Sequence, residues 1–234
     1  MSDPVYKPVI RVALGLLRTL DLRIDVRGQE HIPAAGGAVV TINHISYLDF
    51  VLAGVPFWYS HRRLIRFMAK EAVFRHRFAG PLMRGMKHIP VDRAAGASSY
   101  RYAVDALRSG ELVGVFPEST ISLDFNLAAF KSGAARMAVE AGVPVLPVVI
   151  WGSQRVLTKG HRFDRHSARH VPVSITVGAP ILPAELGSDP IVATATIAKA
   201  MLEQLIDARK HYPEPDRLPA GLPPEPEPEP GADG

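Results

Sequence analysis

The stretch "AVVTINHISYLDF", residues 38–50, changes character twice within thirteen residues. Its first five residues, Ala38 to Ile42, form a short apolar run rich in β-branched side chains and read as a buried strand. The polar turn that follows carries His44 and Asp49, five positions apart. At about 100° per residue, a helix would set these side chains about 140° apart, so one regular helix cannot present both on one face. If they cooperate, the backbone between them turns.

Ser46-x-x-Asp49 has the form of a capping box, with Ser46 capping a helix and Asp49 in its first turn. On this structural reading the pair only starts a helix. The same geometry places His44 before the cap and Asp49 just inside the helix, which brings a hydrogen bond between them within reach. A carboxylate that accepts the proton of one imidazole nitrogen leaves the other nitrogen basic and stabilises the imidazolium. A base of that kind contributes roughly 10²–10⁴-fold to a proton-transfer step. Both readings are open on the residues alone.

Working outward, short apolar runs alternate with helical patterns. Residues 5–20 predict a helix on which Lys7, Arg11 and Arg18 project within about 40° of one another, with Val5, Val9, Val12, Leu16 and Leu20 opposite. Such a helix suits a membrane interface, basic face among headgroups, and equally suits packing on a domain. A turn over 27–37 leads to the 38–42 strand and a helix over 50–58. Then come a strand at 64–70, a helix at 71–86, a strand or edge segment at 87–93, and a helix at 96–107 stopped by Ser109-Gly110. A strand from 111 runs into a loop by 120, followed by a helix at 132–141, a strand at 143–152 and a charged loop at 158–170. A strand at 171–178 and a helix at 190–209 close the pattern. This alternation predicts a single α/β domain with a largely parallel central sheet flanked by helices. The expected organisation is an N-terminal amphipathic helical anchor over 1–27, the α/β domain over 28–212, and a disordered Pro/Glu-rich tail over 213–234.

A chain of 234 residues, 47% hydrophobic, supports one sizeable core and falls short of two. The absence of cysteine excludes disulfides, thiolate metal sites and a cysteine nucleophile, and fits a reducing compartment. The net charge of +4 conceals an asymmetry: residues 213–234 hold six acids and one Arg, leaving 26 basic and 17 acidic residues in 1–212. A basic body calls for an anionic partner, whether nucleic acid, phospholipid headgroups or a phosphorylated substrate. No nucleic-acid-binding module accompanies the charge, so no nucleic-acid partner is expected. No run of 18 apolar residues predicts a membrane-crossing helix, and no cleavable signal is evident. His161, His166 and His170 lie in an Arg-rich loop with Asp164 as the only nearby carboxylate, which reads as a basic loop, and no metal site is expected. Trp58 and Tyr59 beside "HRR" read as an interfacial anchor or as buried packing. There is no G-x-S-x-G elbow, P-loop or dinucleotide fingerprint.

"NHISYLD" resembles the N-H-x-x-x-x-D block of the glycerolipid acyltransferases, the family of 1-acylglycerol-3-phosphate acyltransferases. Three further blocks follow in that family's order: "HIPVDR" (88–93), "VFPEST" (115–120), usually F-P-E-G-T-R, and "VPVLPV" (143–148). The resemblance covers about residues 28–180. It implies transfer of a fatty acyl group from acyl-CoA or acyl carrier protein to a hydroxyl of glycerol-3-phosphate or 1-acylglycerol-3-phosphate in phospholipid biosynthesis. By it, His44 is the general base and Asp49 orients it and stabilises its charge. The acceptor attacks the thioester directly, and Ser46 is a cap rather than a nucleophile. Arg93 pairs with the acceptor phosphate, against the plainer reading of an ion pair with Asp92. Glu118 contacts glycerol hydroxyls or is a loop carboxylate; Ser119 and Thr120 bond phosphate or make a turn. This chain departs from the third block, with Ser119 in place of Gly and Ile121 in place of Arg. If that Arg holds phosphate, either Lys131 or Lys70 supplies the missing cation, unless both are merely solvated, or the acceptor differs from the usual one. The resemblance calls for no cofactor and no metal, and for an anionic membrane surface at the cytoplasmic face of the cell membrane, held peripherally or monotopically. Two rivals remain: a serine-type lipid hydrolase using Ser46 or Ser119, and a non-catalytic lipid-binding scaffold.

Overall fold

The computed structural model describes residues 3–92 and 96–214. Helix α1 (Tyr6–Thr19) precedes strand β1 (Arg23–Arg27), and β2 (Ala38–Ile42) runs into α2 (Asp49–Leu52) and α3 (Gly54–His61). Next come β3 (Ile65–Lys70), α4 (Glu71–Arg75), α5 (Ala79–Gly85), β4 (Ile89–Val91) and α6 (Gly96–Arg108). The chain continues through β5 (Leu112–Val115), α7 (Gly133–Ala141), β6 (Val145–Trp151), β7 (Pro172–Val177), α8 (Pro183–Leu186) and α9 (Pro190–Lys210). Single 3-10 turns stand at Gln29–His31 and Ser153–Arg155.

The strands form one sheet in the order β1-β7-β6-β2-β5-β3-β4. From β6 to β4 all neighbours are parallel, while β7 runs antiparallel to β6 and carries β1 parallel to itself. β2 is central, with Val40 opposite Gly114 on one side and Leu146 on the other. Every residue of β2 and β6 is buried, which is why both read as continuous apolar runs rather than alternating ones. The alternation of Cβ directions sends Val39 into a layer with Leu107 of α6, Met137 of α7 and Leu205 of α9. Ala38, Val40 and Ile42 point the other way, onto Leu17 of α1 and Phe57 of α3. A Cβ on Gly114 would lie 2.6 Å from Ile65 and 2.8 Å from Phe67, so the bare backbone there admits both β3 side chains.

The sheet starts earlier than residue 28. β1 pairs Ile24 with Val173 and Val26 with Ile175, so residues 23–27 belong to the domain rather than to an anchor. As an edge strand with only two inward apolar positions, it left little signal. The helix expected over 71–86 is broken at His76, whose Nδ1 accepts the amides of Phe78 and Ala79, each at 3.3 Å, and caps α5. At the other end, Glu214 is held by Arg155 and Arg23, so the domain reaches into the stretch expected as tail; residues 215–234 lie outside the described residues.

α1 packs on the domain. Tyr6 donates its hydroxyl to Ile65 O at 2.7 Å, Leu17 is buried, and Val5 and Val9 join a cluster with Phe74, Met83 and Met86. The apolar side expected for lipid is therefore divided, leaving Val12 and Leu16 64% and 62% exposed. Lys7, Arg11 and Arg18 border a groove of about 590 Å³ shared with Trp58, Tyr59 and Arg62. Trp58 is buried and Tyr59 half-exposed, with the Arg62 guanidinium 4.9 Å from the Trp58 ring.

Candidate active site

Parallel strands deliver their carboxyl ends to one rim of the sheet, and in open α/β folds that rim holds the ligand. His44 follows β2, Phe116 and Glu118 follow β5, Lys70 ends β3, and Ser153 follows β6. Arg93, expected on the phosphate, follows β4 and lies outside the described residues.

The turn after β2 is built by side chains that replace main-chain partners. Asn43 is fully buried; it donates Nδ2 to Ile150 O at 2.9 Å and accepts Ile150 N at 2.7 Å, continuing the β2–β6 ladder by one step. The chain then reverses, and Asp49 gathers it. Oδ2 of Asp49 accepts the amides of Ile45 and Ser46, each at 2.7 Å, and the Nδ1 of His44 at 3.1 Å. Oδ1 accepts the Ser153 hydroxyl at 2.6 Å. Four donors on one fully buried carboxylate offset its lost hydration and fix its plane. The bond across the five-residue gap is therefore present, because the backbone turns where one helix would not allow it.

Ser46 makes half of the expected box. Its amide goes to Asp49, and its hydroxyl accepts Leu48 N at 3.0 Å and donates to Leu157 O at 2.5 Å. α2 itself begins at Asp49, with Leu48 at its cap position. A fully buried hydroxyl with both roles filled cannot serve as a nucleophile.

With Nδ1 donating to Asp49, the neutral imidazole carries its lone pair on Nε2. The His44 side chain is 20% exposed, and the Phe116 ring lies 4.2 Å from it at an interplanar angle of 30°. Phe116 in turn stacks on Phe67 at 6.1 Å, so an apolar wall backs the imidazole from β5 to β3.

Glu118 ties the third block to the first. Oε1 accepts His44 N at 2.9 Å and Oε2 accepts Ala128 N at 2.9 Å. Burial pushes the Glu118 carboxyl up from its ordinary range, opposed by those two amides and by His44. A further strap is Ser122 N to His44 O at 2.7 Å. Ser119 has φ +60°, a left-handed conformation that glycine adopts without strain, and its amide closes a turn onto Phe116 O at 3.0 Å. Thr120 is exposed, and Ile121 is buried where the family pattern has an arginine. Lys131 is exposed just before α7, its amide bonded to Pro117 O at 3.1 Å, and Lys70 is exposed on the neighbouring strand end.

His44, Asp49 and Glu118 are thus joined directly; Ser119, Thr120 and Lys131 share the loop that Glu118 braces. Sequence reasoning missed Asn43, Phe116, Ser153 and Thr158, the last donating to Ile45 O at 2.7 Å. Position after a strand end was the signal available for Phe116 and Ser153. Among the described residues no group of three or more His, Asp or Glu could hold a metal ion.

The parallel-sheet rim thus carries a buried carboxylate hydrogen-bonded to an imidazole beside a braced loop, and comparison with known proteins shows the family. The acyltransferase family model matches residues 23–151, and the chain belongs to this family. It is 31% identical over 145 residues to the 1-acyl-sn-glycerol-3-phosphate acyltransferase of Bacillus subtilis (strain 168), covering 60% of this chain and 68% of that one. The enzyme of the same name from Borreliella burgdorferi is 27% identical, over 70% of this chain and 64% of its own. The human 1-acyl-sn-glycerol-3-phosphate acyltransferase alpha is 32% identical over 66% of this chain and 55% of its own. The chain thus spans about two thirds of the bacterial relatives' length. The fold is also that of the crystal structure of PlsC, the LPA acyltransferase of Thermotoga maritima, with a TM-score of 0.71, 24% identity, and coverage of 88% and 80%.

Proposed function

We propose that the protein transfers a fatty acyl group from a thioester, acyl-CoA or acyl carrier protein, to the free hydroxyl of 1-acylglycerol-3-phosphate in phospholipid synthesis. The observation that carries this reading is the His44–Asp49 pair, 3.1 Å apart at the rim of the sheet, in a chain whose named relatives act on that acceptor. His44 Nε2 takes the hydroxyl proton as the oxygen attacks the thioester carbonyl, and Asp49 balances the imidazolium. The tetrahedral adduct collapses, the carbon–sulfur bond breaks, and the thiolate leaves as thiol with that proton. The thioester supplies the activated acyl group, so neither metal nor cofactor enters.

Arg93, Lys131 and Lys70 are the cations proposed for the acceptor phosphate, with Ser119 and Thr120 as hydroxyl donors and Glu118 as the brace that sets their loop against His44. Ile121, buried where the family pattern has an arginine, supports a phosphate cation drawn from another element over an acceptor that differs from the usual one. Val12 and Leu16, exposed on the side of α1 opposite its basic groove, support a peripheral hold on an anionic membrane surface, which we place at the cytoplasmic face. Among the described residues no helix is long and apolar enough to cross a membrane.

The test offers palmitoyl-CoA with glycerol-3-phosphate and 1-acylglycerol-3-phosphate together and identifies products by mass spectrometry, wild type beside His44→Ala. A diacylated glycerol phosphate formed only by wild type supports the reading. Free fatty acid alone, or equal turnover by the variant, overturns it.

A further inference from the structure

One of the four donors on Asp49 comes from outside its own turn. Among the described residues the Oδ2 contacts all come from residues 44–46, which leaves the plane of the carboxylate to be fixed through Oδ1, and there Ser153 Oγ alone bonds that oxygen, at 2.6 Å. Ser153 is fully buried and opens the 3-10 turn Ser153–Arg155.

That turn is gripped from its other side. It starts at Gly152, φ +96°, where a Cβ would stand 2.2 Å from Pro172 O and 2.9 Å from the Tyr212 hydroxyl. Gln154 folds back to accept Gly152 N at 2.8 Å. Arg155, 8% exposed, points into the C-terminal segment and donates to the Tyr212 hydroxyl at 2.8 Å and to Glu214 at 2.9 Å. Tyr212 passes its own proton to Pro172 O at 2.8 Å, and Arg23 of β1 also pairs with Glu214. A buried guanidinium is tolerated only with its anion in place. The turn therefore sits between two carboxylates: Asp49, which it orients, and Glu214, which holds it.

We propose that Ser153 is a positioning residue for the His44–Asp49 pair, and that Glu214, through Arg155, holds the turn that carries it. The first residues of the acidic Pro/Glu stretch thereby govern how the Asp49 carboxylate meets the imidazole. The effect on rate rests on the function proposed above; the coupling of Glu214 to the His44 ring does not.

The experiment follows the titration of the His44 ring by NMR in the full chain labelled with ¹⁵N-histidine, the resonance being assigned with His44→Ala. Among the described residues, the charged groups facing His44 are Asp49, bonded to its ring, and Glu118, bonded to its amide. In Ser153→Ala, Asp49 loses a donor and binds the imidazolium more strongly, so the ring titrates at higher pH; Ser153→Thr restores it. Glu214→Gln shifts the ring in the same upward direction. A direct field effect would lower it, because an anion has been removed. Ser153→Ala/Glu214→Gln moves the ring no further than Ser153→Ala, since both act through one bond. In the transfer assay at neutral pH, Ser153→Ala lowers kcat about tenfold, because a ring that takes its proton at higher pH is free to act as a base in fewer molecules, with acceptor KM unchanged. An unmoved His44 titration in Ser153→Ala, or additive shifts in the double variant, overturns the proposal. A wild type that shows the coupling but transfers no acyl group counts against the proposed function alone.

Discussion

Replacing Asp49 by Asn separates charge from geometry at the centre of the site. The amide is isosteric, and its oxygen can keep the Ile45 and Ser46 amides and the His44 Nδ1 that now meet Oδ2. The new NH₂ faces Ser153, whose hydroxyl can turn from donor to acceptor. What is lost is the negative charge 3.1 Å from the imidazole. At an effective dielectric of about 20, a unit charge at that distance stabilises the imidazolium by about 5 kcal/mol. A neutral hydrogen bond retains about 1 kcal/mol of this, and solvent at the partly open His44 screens some of the rest. The net loss of about 3–4 kcal/mol corresponds to a kcat lower by about 10²–10³-fold. Acceptor KM should stay near wild type, because Asp49 is fully buried and cannot touch substrate. Asp49→Ala instead strands two backbone amides and a hydroxyl in a dry site, at about 1–3 kcal/mol each, so it should unfold at markedly lower temperature. The assay is steady-state transfer from palmitoyl-CoA to 1-acylglycerol-3-phosphate with thermal unfolding measured alongside. An Asn variant within tenfold of wild-type kcat would refute the reasoning, since the charge would then be doing nothing for the base.

Three more outcomes follow from separate parts of the molecule. Burial, aided by the nearby Arg66 charge, holds the His88 imidazole down to about 3, while its Nδ1 accepts Phe67 N at 3.0 Å. The folded state thus refuses a proton that the unfolded chain takes near 6.5, so this contribution is present above about pH 6.5 and lost as pH falls towards 3. Urea unfolding of His88→Gln should therefore show a flatter fall in stability over that interval than wild type; equal slopes would refute it. At Ser119, φ +60° strains a residue with a Cβ, so Ser119→Gly should raise stability by about 0.5–1 kcal/mol in thermal unfolding. Val12 and Leu16 are largely exposed, so Val12→Glu/Leu16→Glu should keep the melting temperature yet weaken co-sedimentation with anionic vesicles more than about tenfold, as two lost apolar contacts would.

What the sequence made legible follows from where its signals are local. β2 and β6 are buried on both faces, so composition alone marks them. The strand-to-turn-to-helix change at 42–49 placed His44 and Asp49 within reach of each other before any coordinates. β1 escaped because an edge strand with Ile24 and Val26 between charged neighbours resembles a linker. Its identity as a strand comes from β7, far along the chain. The break in the 71–86 helix depends on which way one histidine ring points. Ser153 had no pattern to announce it: a lone serine gains meaning only from the carboxylate it meets, and that contact spans more than half of the domain's strands.

The two readings of Ser46-x-x-Asp49 were posed as alternatives, and the structure makes them the same set of hydrogen bonds. A buried carboxylate beside an imidazole needs donors to offset its lost hydration, and the turn supplies them as the amides of Ile45 and Ser46. Those amides would otherwise need partners of their own where the turn is buried. One oxygen thus closes the turn and faces the imidazole, with little reorganisation left for the proton transfer proposed above. The spacing follows from that double duty. His44 must precede the amides it shares an acceptor with, and Asp49 must lie one turn beyond them to reach back. A histidine moved one residue closer would keep its amide on Asp49 but put its ring where the Ile45 side chain is buried in the apolar core. A carboxylate moved one residue farther would rotate about 100° around α2 and leave both amides unmet.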